Sequence, residues 1–203
     1  MNKTFAIALA AAFSAVLFSA APASAALEPG AAAPVFTAEA SLAGKDFSFS
    51  LHDALAKGPV VVYFYPAAYT GGCDLEAHTF ATHAGQFKAA GATIIGVSAD
   101  SIQRLNEFSS DPKYCAGKFP VASDPHGAIA ATYGLDLIPP QPDVVDVRGD
   151  KVDHGFIPRT TFVIGGDGRI TKVFSSKEDH LTPDAHVTES LAIVRRLHAA
   201  KAP

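Results

Sequence analysis

One cysteine in this chain sits where a cysteine can react. Cys73 closes the run Pro66-Ala67-Ala68-Tyr69-Thr70-Gly71-Gly72-Cys73, which follows a continuous apolar stretch from Val60 to Tyr65. A β-branched and aromatic run without alternation reads as a strand buried on both faces, and the segment from Cys73 to Ala90 reads as a helix ending at Gly91. Cys73 is therefore placed in the first turn of a helix, just beyond the carboxyl end of a buried strand, where open α/β sheets put their ligands. Free N–H groups and the positive end of a helix dipole favour thiolate over thiol there, so the sequence predicts a depressed Cys73 pKa. Thr70 is close enough in a tight turn to set its hydroxyl beside the sulfur. Gly71 and Gly72 leave backbone amides open to a small polar substrate, and Pro66 ends the strand and shields the sulfur from water. A nucleophile, a hydroxyl and free amides together suit a small oxygen-bearing substrate. The competing reading of any lone cysteine is a buried, inert one.

The elements that must position this constellation are legible along the chain. Thr93–Ser98 reads as a second buried strand, and Asp100 or Ser101 caps a helix with Ile102, Leu105 and Phe108 on its apolar side. Pro120 to Ser123 is a short strand, and Asp124-Pro125 starts a helix reaching Tyr133 and Gly134. Two strands, Thr160–Ile164 and Arg169–Phe174, flank the Gly-Gly-Asp-Gly turn at 165–168, and Thr182-Pro183 opens a last helix with Val187, Leu191, Val194 and Leu197 inward. On the Cys73 helix the apolar spacing is Leu75, Phe80, Ala84 and Phe87. Strands alternating with helices, then a hairpin and a helix, give an α/β fold with a central mixed sheet and helices on both faces. The segment from Gly134 to Pro158, with Pro139, Pro140 and Pro142, is a long connection with room for a short hairpin. The run Asp150, Lys151, Asp153 and His154 inside it reads as a solvated turn.

Composition narrows the function classes. The chain has 203 residues, 48% apolar and 18% charged, with a net charge of −4, and its pI is near 6.0. That length suits one domain, and the charge gives a nucleic-acid partner no electrostatic footing. Residues 1–25 read as a cleavable signal peptide: Lys3, an apolar run from Phe5 to Phe18, Pro22, and small residues at Ala23 and Ala25 before the cut. The run is shorter than the ~20 residues of a spanning helix, so no membrane association is expected after cleavage. The domain is then 26–203, exported, with a bacterial periplasm as the expected compartment, where disulfides persist. The eight histidines are scattered, and His78 and His83 are five apart rather than the four of a helical metal pair, so no metal site is expected.

The pattern Pro66-x-x-x-Thr70-x-x-Cys73 resembles the active-site motif of the peroxiredoxins, the alkyl hydroperoxide reductase C / thiol-specific antioxidant superfamily with a thioredoxin-like fold. Pro34-Val35-Phe36 with Phe47 to Leu51, the strand Tyr63-Phe64-Tyr65-Pro66, Gly91 to Asp100, Ser123-Asp124-Pro125 and Arg159 to Ile164 extend the likeness over roughly 30 to 200. The Tyr-Phe-Tyr-Pro strand is similar to the bacterioferritin comigratory protein (PrxQ-like) branch. The resemblance implies a thiol-dependent peroxidase without metal or organic cofactor, acting on hydrogen peroxide or an alkyl hydroperoxide. Cys73 would be the peroxidatic cysteine, oxidised to sulfenic acid. Thr70 would hydrogen-bond the thiolate and a peroxide oxygen, and Arg159 would stabilise the thiolate and polarise the peroxide. Glu76 sits where many members carry a glutamate, in an orienting role. Gly72 and Tyr65 would line the substrate pocket, although core packing explains Tyr65 equally well and an ordinary ion pair would explain Arg159. Some members of the branch carry the resolving cysteine on the third helix. Position five after Cys73 is His78, so Cys115 is the internal candidate for resolution, giving an atypical two-cysteine enzyme with an intramolecular disulfide. Its reductant would be thioredoxin-like or another dithiol, and its assembly a monomer or homodimer.

Three other classes fit less well. A thioredoxin-type oxidoreductase wants Cys-x-x-Cys, and a copper chaperone wants a close cysteine pair with a histidine. The remaining rival is a non-catalytic thioredoxin-fold binding domain held by a structural Cys73–Cys115 bridge, which could contribute ~4 kcal/mol.

Overall fold

The computed structural model describes residues 26–200; the expected signal peptide, 1–25, lies outside the described residues. A hairpin of β1 (Thr37–Leu42) and β2 (Lys45–Ser50) leads into the short helix α1 (Leu51–Leu55). Next come β3 (Val60–Phe64), α2 (Gly71–Ala89), β4 (Thr93–Ser98), α3 (Ile102–Ser110), β5 (Val121–Ser123) and α4 (Ala128–Thr132). The chain closes with β6 (Thr160–Ile164), β7 (Ile170–Ser175) and α5 (Pro183–Ala199). The strands form one seven-stranded sheet in the order β2-β1-β5-β4-β3-β6-β7. Strands β3, β4 and β5 run parallel, while β1 and β6 pair antiparallel on either side of them, so the sheet is mixed.

The apolar run that suggested a doubly buried strand is β3, and every residue in it is buried. Period-two alternation sends Val60, Val62 and Phe64 into one core with α1 and α4. Val61, Tyr63 and the following Tyr65 enter a second core on the opposite face, with α2, α3 and α5. Tyr63 stands opposite Gly96 of β4, and its ring fills the space a side chain there would need: a Cβ on Gly96 would lie 2.6 Å from Tyr63 Cζ.

Local differences from the sequence reading have physical causes. The β1–β2 hairpin and α1 carry weak signals, because β2 is an edge strand exposed along most of its length. Helix α4 begins only at Ala128, since Gly127 before it adopts φ +66°, and Asp124 reaches forward to accept the Ala130 N–H at 2.9 Å. On α2 the buried face runs through Cys73, Glu76, Ala77, Phe80 and Phe87, so Leu75 points outward at 46% exposure. No helix among the described residues is long and apolar enough to cross a membrane.

The long connection after Gly134 contains the short hairpin, a bridge between Val145 and Lys151, and it is pinned to the sheet. Its anchor is Asp100, fully buried after β4. One carboxylate oxygen accepts from the Ala68 N–H (2.8 Å) and the Ser98 hydroxyl (2.7 Å). The other faces His154 Nε2 at 2.9 Å and forms an ion pair with Arg104 Nε at 2.9 Å. His154 is thus no part of a solvated turn; its side chain is only 15% exposed. Its Nδ1 lies 2.8 Å from the Gly155 carbonyl, so both ring nitrogens face acceptors. A neutral imidazole has one N–H and can serve only one of them; the charged ring serves both. Burial works against that charge, but the Asp100 carboxylate more than offsets it and holds the His154 pKa above its ordinary value.

A pH dependence follows. Because the folded pKa is raised, the stabilisation by His154 is complete below the unfolded value of about 6.5 and is lost as pH rises through the folded value. Urea midpoints of wild type and His154→Gln, compared from pH 6 to 9, should converge with rising pH by on the order of 1 kcal/mol. Parallel curves would mean that His154 does not titrate in its tie to Asp100.

Candidate active site

Strand β3 delivers the chain to Tyr65 and Pro66, and the loop 66–70 turns it into α2. Thr70 occupies the N-cap with extended backbone (φ −121°, ψ 138°), and its carbonyl accepts the Asp74 N–H at 2.9 Å. Its hydroxyl makes no capping bond; it donates to the Ala67 carbonyl at 2.7 Å, tightening the turn. Cys73 is the third residue of the helix, inside the first turn, and only 2% exposed. Gly71 and Gly72 form the exposed rim, and Pro66 is half-buried beside them.

Arg159 reaches this site from 86 residues away because of sheet register. The β3–β6 ladder pairs Phe64 with Thr160, which sets Arg159 next to the end of β3 and against the start of α2. One guanidinium nitrogen donates to Cys73 Sγ at 3.2 Å, and the other donates to a carboxylate oxygen of Glu76, one turn further along the helix. The fork therefore spans i and i+3 on one helix face. Gly72 gives it room: a Cβ there would stand 3.2 Å from the guanidinium and 3.4 Å from Pro183.

Behind the fork lies a layer the sequence did not reveal. Glu76 is fully buried, and its second oxygen has no hydrogen bond; His186 Nδ1 stands 4.0 Å from it. Thr161 shares a 2.9 Å contact with that Nδ1. Ser176 gives its proton to the Leu181 carbonyl and receives His186 Nε2–H at 3.0 Å. In a neutral ring with its proton on Nε2, Nδ1 accepts from the Thr161 hydroxyl. Burial first, and Arg159 second, push the His186 pKa down to about 4, in agreement with that tautomer.

The direction of the Cys73 pKa is a correction to the sequence expectation. Burial pushes the thiol above its ordinary value, and it outweighs Arg159, the Thr70 hydroxyl and the Ala67 backbone, which all favour the thiolate. A helix start was legible in the sequence, and a cation only through the family resemblance; complete burial of the sulfur was not. Burial likewise raises the Glu76 pKa to about 7 against the pull of Arg159.

Of the other residues singled out from sequence, Tyr65 is fully buried in the core that holds Cys73, with no hydrogen-bond partner for its hydroxyl. Cys115 belongs to the same core and is fully buried, but it lies in the turns after α3 rather than on a helix. Both cysteines are free thiols, so the bridge required by the binding-domain alternative is not formed. On α2, His78 faces the Lys113 carbonyl, in the turns after α3, at 3.0 Å, and His83 contacts Thr79 and Thr82 of its own helix. Among the described residues, no group of three or more His, Cys, Asp or Glu converges on a metal position.

If Arg159 is the main force opposing burial, its removal must raise the thiol pKa further. Iodoacetamide alkylation of reduced Arg159→Met should need higher pH than wild type and should be about tenfold slower at pH 7. Superimposed profiles would show that the guanidinium does not govern the sulfur.

Comparison with known proteins places the chain as a whole. The AhpC/TSA family profile matches residues 29–173. The chain is 32% identical over 172 residues to a chloroplastic peroxiredoxin Q of Oryza sativa, covering 83% of this chain and 67% of that protein. The crystal structure of the peroxidoxin BcpB from Mycobacterium tuberculosis superimposes with a TM-score of 0.68 at 29% identity, over 84% of this chain and 97% of that one. A Xanthomonas campestris peroxiredoxin Q structure, at 24% identity and a TM-score of 0.59, shares the fold over 80% of this chain and 91% of its own. This chain belongs to the AhpC/TSA family and is a thiol-dependent peroxidase of the peroxiredoxin Q and bacterioferritin-comigratory-protein kind.

Proposed function

We propose that Cys73 reduces hydrogen peroxide and organic hydroperoxides and that Cys115 resolves the product as an intramolecular disulfide, reopened by a thioredoxin-like or other dithiol reductant. The observation that carries the first part is the Arg159 fork, which joins the Cys73 sulfur to the buried Glu76 carboxylate. A thiolate formed beside that guanidinium attacks the terminal peroxide oxygen. The O–O bond breaks, the sulfur becomes sulfenic acid, and the departing alkoxide or hydroxide takes up the proton lost by the thiol to leave as alcohol or water. Arg159 holds donors where negative charge passes from sulfur to the leaving oxygen, and Glu76, bonded to it, fixes the plane of the fork. Thr70 and the exposed Gly71 and Gly72 backbone border the approach.

Resolution by Cys115 is supported by its place in the same core as Cys73. The sulfenic acid and the Cys115 thiol condense to a disulfide and water. Because Cys73 is enclosed in the first turn of α2, that turn must open for the two sulfurs to meet. Export of the chain, implied by the signal-like segment 1–25, would place the enzyme in an oxidising periplasm as a monomer or homodimer.

Peroxide consumption by the reduced protein tests the reading. Cys73→Ser should abolish it. Arg159→Lys should fold normally yet lose about a hundredfold in rate, because an ammonium cannot span sulfur and carboxylate as a planar fork does. Near-normal rates in either variant would remove that residue from the site. Mass spectrometry after one equivalent of peroxide should find a Cys73–Cys115 disulfide in wild type. In Cys115→Ala it should find sulfenic acid, prone to over-oxidation. A lasting sulfenic acid in wild type would refute resolution by Cys115.

A further inference from the structure

The loop that carries Thr70 toward Cys73 is gripped from outside by the long connection, and Tyr69 is the point of grip. Tyr69 has a left-handed backbone (φ +59°), uncommon for a bulky residue, and its side chain is 2% exposed. Its carbonyl accepts the Val147 N–H at 2.9 Å. The Arg148 guanidinium carbon lies 3.5 Å from the centre of the Tyr69 ring. The rest of the ring packs edge-on against Phe108 (5.1 Å) and Tyr114 (5.3 Å), so Tyr69 stands between the Cys73 loop and the neighbour of Cys115.

Arg148 is itself fixed on three sides. Its Nε donates to Asp146 at 3.1 Å, one terminal nitrogen to Glu107 at 2.7 Å, and the other pairs with Asp150 at 3.3 Å. Asp146 is fully buried and also receives Arg104 at 2.8 Å, while Arg104 donates to the Ala68 carbonyl at 2.9 Å. The strained residue, the cation over its ring and the buried acid form one continuous clasp.

We propose that Arg148 is a positioning residue for the Cys73 loop: seated on Tyr69, it holds the loop closed and sets the rate at which Cys73 leaves its pocket. The inference rests on the proposed function in one respect, that departure from the pocket precedes condensation with Cys115. In the closed loop the sulfenic acid can meet a second peroxide, giving sulfinic acid and water or alcohol; in the open loop it meets the Cys115 thiol, giving disulfide and water. The clasp thus divides the intermediate between those fates.

Two measurements on Arg148→Ala test this. Amide hydrogen exchange of the reduced protein reads loop opening without any reference to Cys115. Residues 69–75 should exchange about tenfold faster than in wild type, with β3 and β6 unchanged. Rapid-quench mass spectrometry after a peroxide pulse should show faster Cys73–Cys115 disulfide formation and less sulfinic acid per turnover. Arg148→Lys, which keeps a cation over the ring but loses the fork to Asp146 and Glu107, should fall between the two and serves if Arg148→Ala does not fold. Unchanged exchange at 69–75, or slower disulfide formation, overturns the proposal. Faster exchange with no disulfide in either protein upholds the clasp and instead refutes resolution by Cys115.

Discussion

A guanidinium with an 11% exposed side chain has to be paired, and the pairing of Arg159 constrains everything around it. Glu76 supplies the countercharge and Cys73 the remaining acceptor, so α2 must present positions 73 and 76 on the same inward face. That phase in turn turns Leu75 outward. The β3–β6 register must bring residue 159 to the end of β3, and Gly72 spares the fork a close contact, since a Cβ there would stand 3.2 Å from it. Each condition belongs to a different level of structure, yet all meet at one planar cation.

The same arrangement sets burial against ionisation. Enclosing the sulfur favours the neutral thiol, while Arg159 favours the anion, and in the closed form burial prevails. Glu76, with a pKa near 7, and neutral His186 behind it keep the pocket close to the point where one proton more or less changes its charge. A site of this kind gains from water exclusion during attack and loses from it while waiting for substrate.

Much of this was legible in the chain. The run Val60–Tyr65, the glycine-terminated helix after Cys73 and the Thr182-Pro183 helix start are strong local signals, and they place the nucleophile at a strand-to-helix turn. Arg159 was reachable only through resemblance to a family, since nothing local distinguishes an arginine ahead of a strand. His186, Thr161 and Ser176 had no signal at all, because their meeting depends on how α5 packs over β6 and β7. His154 was misread for the opposite reason: charged neighbours at Asp150, Lys151 and Asp153 suggested solvent, while a buried Asp100 drew the ring inward. Long-range electrostatic partners leave no periodicity to read.

The placement of the tyrosines has a practical consequence. The chain has no tryptophan and five tyrosines, and four of them, Tyr63, Tyr65, Tyr69 and Tyr114, lie in the core that holds both cysteines; only Tyr133 lies on the other face. Near-ultraviolet dichroism and intrinsic emission of this protein therefore arise mainly from rings packed around its two sulfurs. A rearrangement of that core on oxidation of Cys73 would change the surroundings of these rings, so they would report it without a dye or an engineered fluorophore.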